Sequence, residues 1–159
     1  MSAETLISAP SRRLYTAQER ERRDSTVWTL VQGILAPVQF LVFLVSVALV
    51  LRFMWTGAGY EIATLSIIVK TGVLLTIMVT GAIWEKVVFG QYLFAEAFFW
   101  EDVFSFGVIA LHLLYVWALV AGWPHDQQMV IALAAYGAYV INAAQFIWKL
   151  RMARLEGAL

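Results

Sequence analysis

Four of the chain's eleven acidic residues fall between Gly81 and Phe106, in the stretch GAIWEKVVFGQYLFAEAFFWEDVFSF. Glu85 and Lys86 close one apolar run, Glu101 and Asp102 open the next, and Glu96 sits between them in a linker rich in Phe, Tyr and Trp. Carboxyl groups beside large flat side chains at the edge of apolar runs point to acid–base chemistry on a flat, greasy substrate. The competing reading is two ordinary helix ends joined by an interfacial aromatic belt. The candidate acid–base groups are Glu101 with Asp102, then Glu85, with Glu96 as a further carboxyl on the linker. Adjacent residues point about 100° apart on a helix, so Glu101 and Asp102 cannot both line one narrow pocket unless the helix starts after them. In purely structural roles, Asp102 would cap that helix, Glu101 would sit favourably in its first turn, and Lys86 would pair with one of them.

These residues need a scaffold, and composition says which kind. The chain has 159 residues, of which 62% are hydrophobic and 14% charged. That is far from the soluble range, where roughly half are apolar, and it predicts an all-α integral membrane protein. With no Cys, disulfides, thiolate metal sites and cysteine nucleophiles are excluded, and two distant His residues do not make a protein-built metal centre. Four apolar runs, near 27–54, 62–84, 102–122 and 128–149, are long enough to cross a hydrocarbon layer that needs about 20 helical residues. A crossing chain must satisfy its backbone internally, so the expected architecture is a four-helix transmembrane bundle over 27–149, with tails at 1–26 and 150–159. Thr16-Ala17-Gln18-Glu19 has capping-box spacing and predicts a short amphipathic surface helix from about Ala17; residues before Tyr15 are expected to be mobile.

Lys and Arg cluster in both tails, at Arg12, Arg13, Arg20, Arg22 and Arg23 and at Lys149, Arg151 and Arg154. The second loop adds Lys86, the first has only Arg52 and the third has none, so the positive-inside rule places both termini and the acidic linker in the cytoplasm. Within the helices, Pro37 should kink the first, flanked by Gln32 and Gln39 on one face. Lys70 should face the bundle and find a partner. Glu101, Ser105 and His112 form one stripe on the third helix, and Asn142, Gln145 and Lys149 another on the fourth. Buried His and Asn residues of this kind often serve as interhelical hydrogen-bond donors and acceptors and no more.

The strings Trp28-Thr29-Leu30-Val31-Gln32-Gly33, Leu35-Ala36-Pro37-Val38-Gln39-Phe40, Trp84-Glu85-Lys86-Val87-Val88-Phe89-Gly90, Phe98-Phe99-Trp100-Glu101-Asp102-Val103-Phe104-Ser105 and Tyr139-Val140-Ile141-Asn142-Ala143-Ala144-Gln145-Phe146 resemble those of the 3-vinyl bacteriochlorophyllide hydratases of purple photosynthetic bacteria. The resemblance runs from about Tyr15 to Gly157. It implies an enzyme that adds water across the ring-A vinyl group of a magnesium tetrapyrrole to give a 1-hydroxyethyl group, with no cofactor beyond the magnesium the substrate carries. It also implies a bacterial inner, intracytoplasmic membrane and partners among lipid, the pigment substrate, further copies of the chain or other pigment-synthesis enzymes, and no nucleic acid.

Hydration of an alkene conjugated to a macrocycle starts most easily with protonation of the terminal vinyl carbon, since the cation is delocalised into the ring, and water then attacks the inner carbon. The protein must supply a protonated carboxyl, stabilise the cation and take a proton from water. On this reading Glu101, Asp102 and Glu85 do the acid–base work. Trp84, Phe99, Trp100, Gln39, Asn142 and His112 contact substrate, with His112 a candidate ligand of the substrate magnesium through neutral imidazole. The rival readings are a non-catalytic scaffold or carrier for chlorophyll pigments, and a small ion or proton pathway through Lys70, His112 and Asn142.

Overall fold

The computed structural model describes residues 13–157, and every regular element among them is helical. They form α1 (Ala17–Ser25), α2 (Val27–Thr56), α3 (Tyr60–Phe89), a 3-10 turn at Glu96–Phe98, α4 (Phe99–Val120) and α5 (His125–Gly157). Four of these, α2 to α5, are long and apolar enough to cross a membrane. At 1.5 Å per residue, a 30-residue helix such as α2 or α3 is about 45 Å long, so its ends project beyond a hydrocarbon layer of about 30 Å. The expected mobile leader, Arg12 included, lies outside the described residues except at its last two positions. There Leu14 is tied down, its N–H donating to Glu156 Oε2 at 2.9 Å.

Local chemistry accounts for the breaks between helices. Thr16 opens α1 with a complete capping box: its hydroxyl accepts from the Glu19 N–H, and the Glu19 carboxylate accepts from the Thr16 N–H. Thr26 ends α1 and caps α2 by accepting from the Trp28 N–H. Gly57 (φ 73°) and Gly90 (φ 87°) end α2 and α3 in the left-handed conformation that glycine adopts at no steric cost. Pro37 is accommodated inside α2 without ending it.

The long helices pack as two hairpins, α2 with α3 and α4 with α5, and close into a bundle through α3–α4 and α2–α5 contacts. Phe43, Ile67, Val108, Met129, Tyr136 and Tyr139 are among the residues filling the centre. A second aromatic cluster, of Tyr15, Trp84, Phe89, Phe98 and Phe146, closes the end where residues 14 and 156 meet. Tyr15 stacks on Phe89 and carries Arg23 on its ring, and burial pushes its phenol up to about 12, the neighbouring Arg23 charge opposing this. Gly81 leaves room for Gln32, since a Cβ there would lie 3.3 Å from Gln32 Oε1; Gln32 Nε2 donates to Thr80 Oγ1.

Burial is inverted relative to a water-soluble protein. Leu30, Val79 and Val120 point outward, while Gln39, Lys70, Glu85, Glu101, Asp102, Ser105, His112 and Asn142 are all buried. That is the distribution a bilayer imposes, with apolar side chains toward lipid and polar ones toward the bundle axis. Lys70 is fully buried, and the group it meets is the ring of Tyr139, 3.7 Å from Nζ. Two structural roles are corrected. Helix α4 begins at Phe99, so Asp102 lies inside the helix and does not cap it. Lys86 pairs with neither acid: its ammonium donates to the Gly90 carbonyl and lies near the Tyr92 ring.

Candidate active site

The C-terminal turn of α3, the linker after it, the first turn of α4 and the last third of α5 meet beneath the aromatic cluster, and they bring three carboxyl groups together. Glu85 and Asp102, both buried, face each other across the α3–α4 contact. Two neighbouring carboxyl groups removed from water resist ionising together, which favours one proton shared between them. The linker supplies backbone donors to the same pair: the Phe94 N–H donates to Asp102 Oδ2 at 2.9 Å and the Ala95 N–H to Glu85 Oε2 at 3.3 Å.

Glu101 points to the other side of α4, as the 100° offset between neighbours requires. Its Oε1 lies 3.6 Å from Lys149 Nζ on α5, and its buried Oε2 has no hydrogen-bond partner. Lys149 also donates to the Ala97 carbonyl at 2.7 Å, pinning the 3-10 turn to α5. Asn142 closes the α4–α5 seam: its Oδ1 accepts from Ser105 Oγ, and its Nδ2 donates to the Glu101 carbonyl and to Gln145 Oε1. The two sequence stripes, on α4 and on α5, are therefore one hydrogen-bonded surface.

Aromatic rings bracket this cluster. Phe98 is the hub, packed edge-on to Trp84 and against Phe89 and Phe146. Trp84 Nε1 donates to Thr29 Oγ1, whose hydroxyl donates in turn to the Arg23 carbonyl, so α1, α2 and α3 are joined at the same level. A groove of about 330 Å³ runs over the linker, lined by Arg13, Phe89, Ala95, Glu96 and Lys149 among others; the carboxyl pair does not line it, and Ala95, whose N–H donates to Glu85, connects the two.

Of the candidate residues, Glu85, Glu101, Asp102, Asn142 and Trp84 are brought together. Phe99 and Trp100 face outward, Trp100 with 72% of its surface exposed. His112 is ten residues beyond Asp102 on α4, about 15 Å by helical rise, which is longer than the distance from the centre of a tetrapyrrole to a vinyl group on its rim. Its Nδ1 donates to the Val108 carbonyl at 2.8 Å, which fixes the tautomer and leaves Nε2 a buried acceptor with no hydrogen-bond partner. Gln39 is likewise buried, on α2. Two features went unassigned in the sequence: the Phe94 and Ala95 amides, and Lys149 as the partner of Glu101. The spacing Asn142, Gln145, Lys149 was the signal for the last.

Fold and site together define an all-helical membrane protein with a buried carboxyl pair near one end of its bundle, beside a cluster of aromatic side chains. Residues 15–152 match the profile of the 2-vinyl bacteriochlorophyllide hydratase family, and the chain belongs to that family. Two relatives carry the same description, "2-vinyl bacteriochlorophyllide hydratase". That of Cereibacter sphaeroides is 72% identical over 152 residues, covering 96% of this chain and 95% of the relative. That of Rhodobacter capsulatus is 72% identical over 150 residues, covering 94% and 88%. No solved structure matches the chain.

Proposed function

We propose that this chain adds water across the ring-A vinyl group of a bacteriochlorophyllide or chlorophyllide, the group numbered 3 above and 2 in the family's description under the alternative numbering of the macrocycle. The observation that carries the chemistry is the buried Glu85–Asp102 pair, two carboxyl groups fed by adjacent linker amides, which in an apolar setting favour sharing one proton. That proton goes to the terminal vinyl carbon, and the pair is left as two carboxylates beside the cation now delocalised into the ring. Water attacks the inner carbon and gives up a proton that restores the pair. The sum is alkene plus water to alcohol, with no change in oxidation level, so no redox cofactor is required. Trp84, Phe89 and Phe98 flank the macrocycle edge, and the groove along Arg13 and Lys149 admits it. In this pose His112 is too deep to hold the substrate magnesium and acts in helix packing.

The test is incubation of membranes containing the protein with vinyl pigment in isotopically labelled water. Label in a new 1-hydroxyethyl group is the expected result. Pigment that is bound and recovered unchanged would favour the scaffold reading, and dependence on molecular oxygen or a reductant would exclude hydration.

The orientation belongs to the same proposal. Arg13, Arg20, Arg22, Arg23, Lys86, Lys149, Arg151 and Arg154 belong to the segments at the carboxyl-pair end, against Arg52 alone near the other, so both termini and the site face the cytoplasm of the bacterial inner membrane, with α1 lying along that surface. Reporter fusions after Gly157 and between Gly122 and Pro124 should report opposite sides, the former cytoplasmic; an external C-terminal reporter would reverse the assignment.

A further inference from the structure

Phe94 is the non-glycine residue with positive φ among those described, at 60°. A left-handed backbone at a bulky residue is unfavourable, and such residues persist where the surroundings over-determine them, often at functional sites. Its consequence here is specific. A left-handed residue turns the chain so that successive N–H groups converge into one concavity suited to anionic oxygens. The N–H groups of Phe94 and Ala95 do converge, one on Asp102 and the next on Glu85. The Phe94 ring, meanwhile, is stacked on Phe106 at 5.5 Å and tilted against Phe99 at 5.7 Å.

We infer that Phe94 is a positioning residue: its left-handed backbone forms a two-amide cradle that sets the relative placement of the Glu85 and Asp102 carboxyls, while its ring, held on Phe106 and Phe99, locks the linker in that conformation. The part of this inference that concerns turnover rests on the proposed hydration; the part that concerns the carboxyl pair does not. The cradle explains why the linker is short of ordinary turn residues yet sharply bent. The ring supplies by packing what glycine would supply by conformational freedom.

The test separates backbone from ring by substitution at this one position. Phe94→Val strongly resists the left-handed region, whereas Phe94→Gly and Phe94→Asn adopt it readily. Misplacing catalytic groups by an ångström costs on the order of 10²-fold, so Phe94→Val should lose about that much in kcat with KM little altered. Phe94→Gly and Phe94→Asn should recover most of the loss despite lacking the ring. The carbonyl stretching band of the protonated carboxyl, identified by its disappearance in Glu85→Gln, should shift in Phe94→Val and return toward its original position in the glycine and asparagine variants. Should Phe94→Val fail to accumulate in membranes, Phe94→Ala, which disfavours the conformation less severely, takes its place in the comparison. An equal rise in KM in all variants, with the band unmoved, would make the ring a substrate contact and overturn the inference. So would full kcat and an unshifted band in Phe94→Val. If Glu85→Gln and Asp102→Asn leave hydration intact, the proposed mechanism fails, and the infrared comparison still decides whether Phe94 positions the pair.

Discussion

Asp102→Asn should lower vinyl hydration by about 10²–10⁴-fold, the range that general acid–base catalysis contributes, while pigment binding survives. The amide keeps the shape of the side chain, can still accept from the Phe94 N–H and can still donate to Glu85, so the cradle stays filled. What it cannot do is release a proton to carbon. Glu85→Gln removes the same shared proton from the other side and should cost a similar factor, and the double variant should be little worse than either single one, because groups that act as a unit are not additive. Single-turnover measurements with a separate binding assay give the comparison its force. Glu101→Gln should act differently, through its contact with Lys149 on α5, and more mildly, since that carboxylate points away from the pair. Loss of activity in Glu101→Gln alone, with both members of the pair dispensable, would move the acid to Glu101. Near-normal turnover in all three would reduce the acidic aromatic stretch to an interfacial belt.

The second large effect concerns Lys70 and runs in the opposite direction. A buried cation in a helix is normally neutralised by an acid, and removing it then leaves an unpaired charge at a cost of about 3–5 kcal/mol. Lys70 Nζ has no hydrogen-bond partner, and the acids of α3, Glu61 and Glu85, are nine and fifteen residues away, about 13 and 22 Å by helical rise. Its one favourable contact is with the Tyr139 ring, which a Met side chain would keep as a sulfur–aromatic contact. Lys70→Met therefore removes the insertion cost of a charge, about 2.5–3.5 kcal/mol, and strands nothing. Greater insertion efficiency in a translocation assay and greater resistance to detergent unfolding are expected. A variant that inserts but no longer folds would reveal a dependence on the ammonium that its surroundings do not explain.

The four apolar runs, the Thr16 capping box and the inward face of Gln39, Lys70, His112 and Asn142 were legible because each rests on periodicity or on a local hydrogen-bonding pattern. Helix ends were less so: α5 continues to Gly157, past its apolar run, since Lys149, Arg151 and Arg154 are good helix formers and nothing stops them. Partner choice was the hardest to read. Spacing showed that Glu101 and Asp102 diverge, yet whether Glu85 or Lys149 meets each of them depends on how α3 and α5 flank α4, which no local pattern encodes. The amides of Phe94 and Ala95 were invisible for another reason, since every residue but proline has an N–H, and only a backbone angle gives these two their direction. The outward direction of Trp100 and Phe99 was not legible in composition either, since aromatic residues flanking an acid pair can face lipid as readily as the bundle.

The hydrogen bond between the Leu14 N–H and Glu156 joins positions 142 residues apart in the chain. During synthesis the N-terminal segment therefore emerges long before its anchor does. The Glu85–Asp102 pair can assemble once α4 is made, but the partner of Glu101 and the tether of the N-terminal segment arrive only with the end of α5. Of the four long helices described, α5 is thus the latest made and the one that completes these contacts, and a nascent chain stalled before it would hold the Glu85–Asp102 pair in a mouth not yet closed around it.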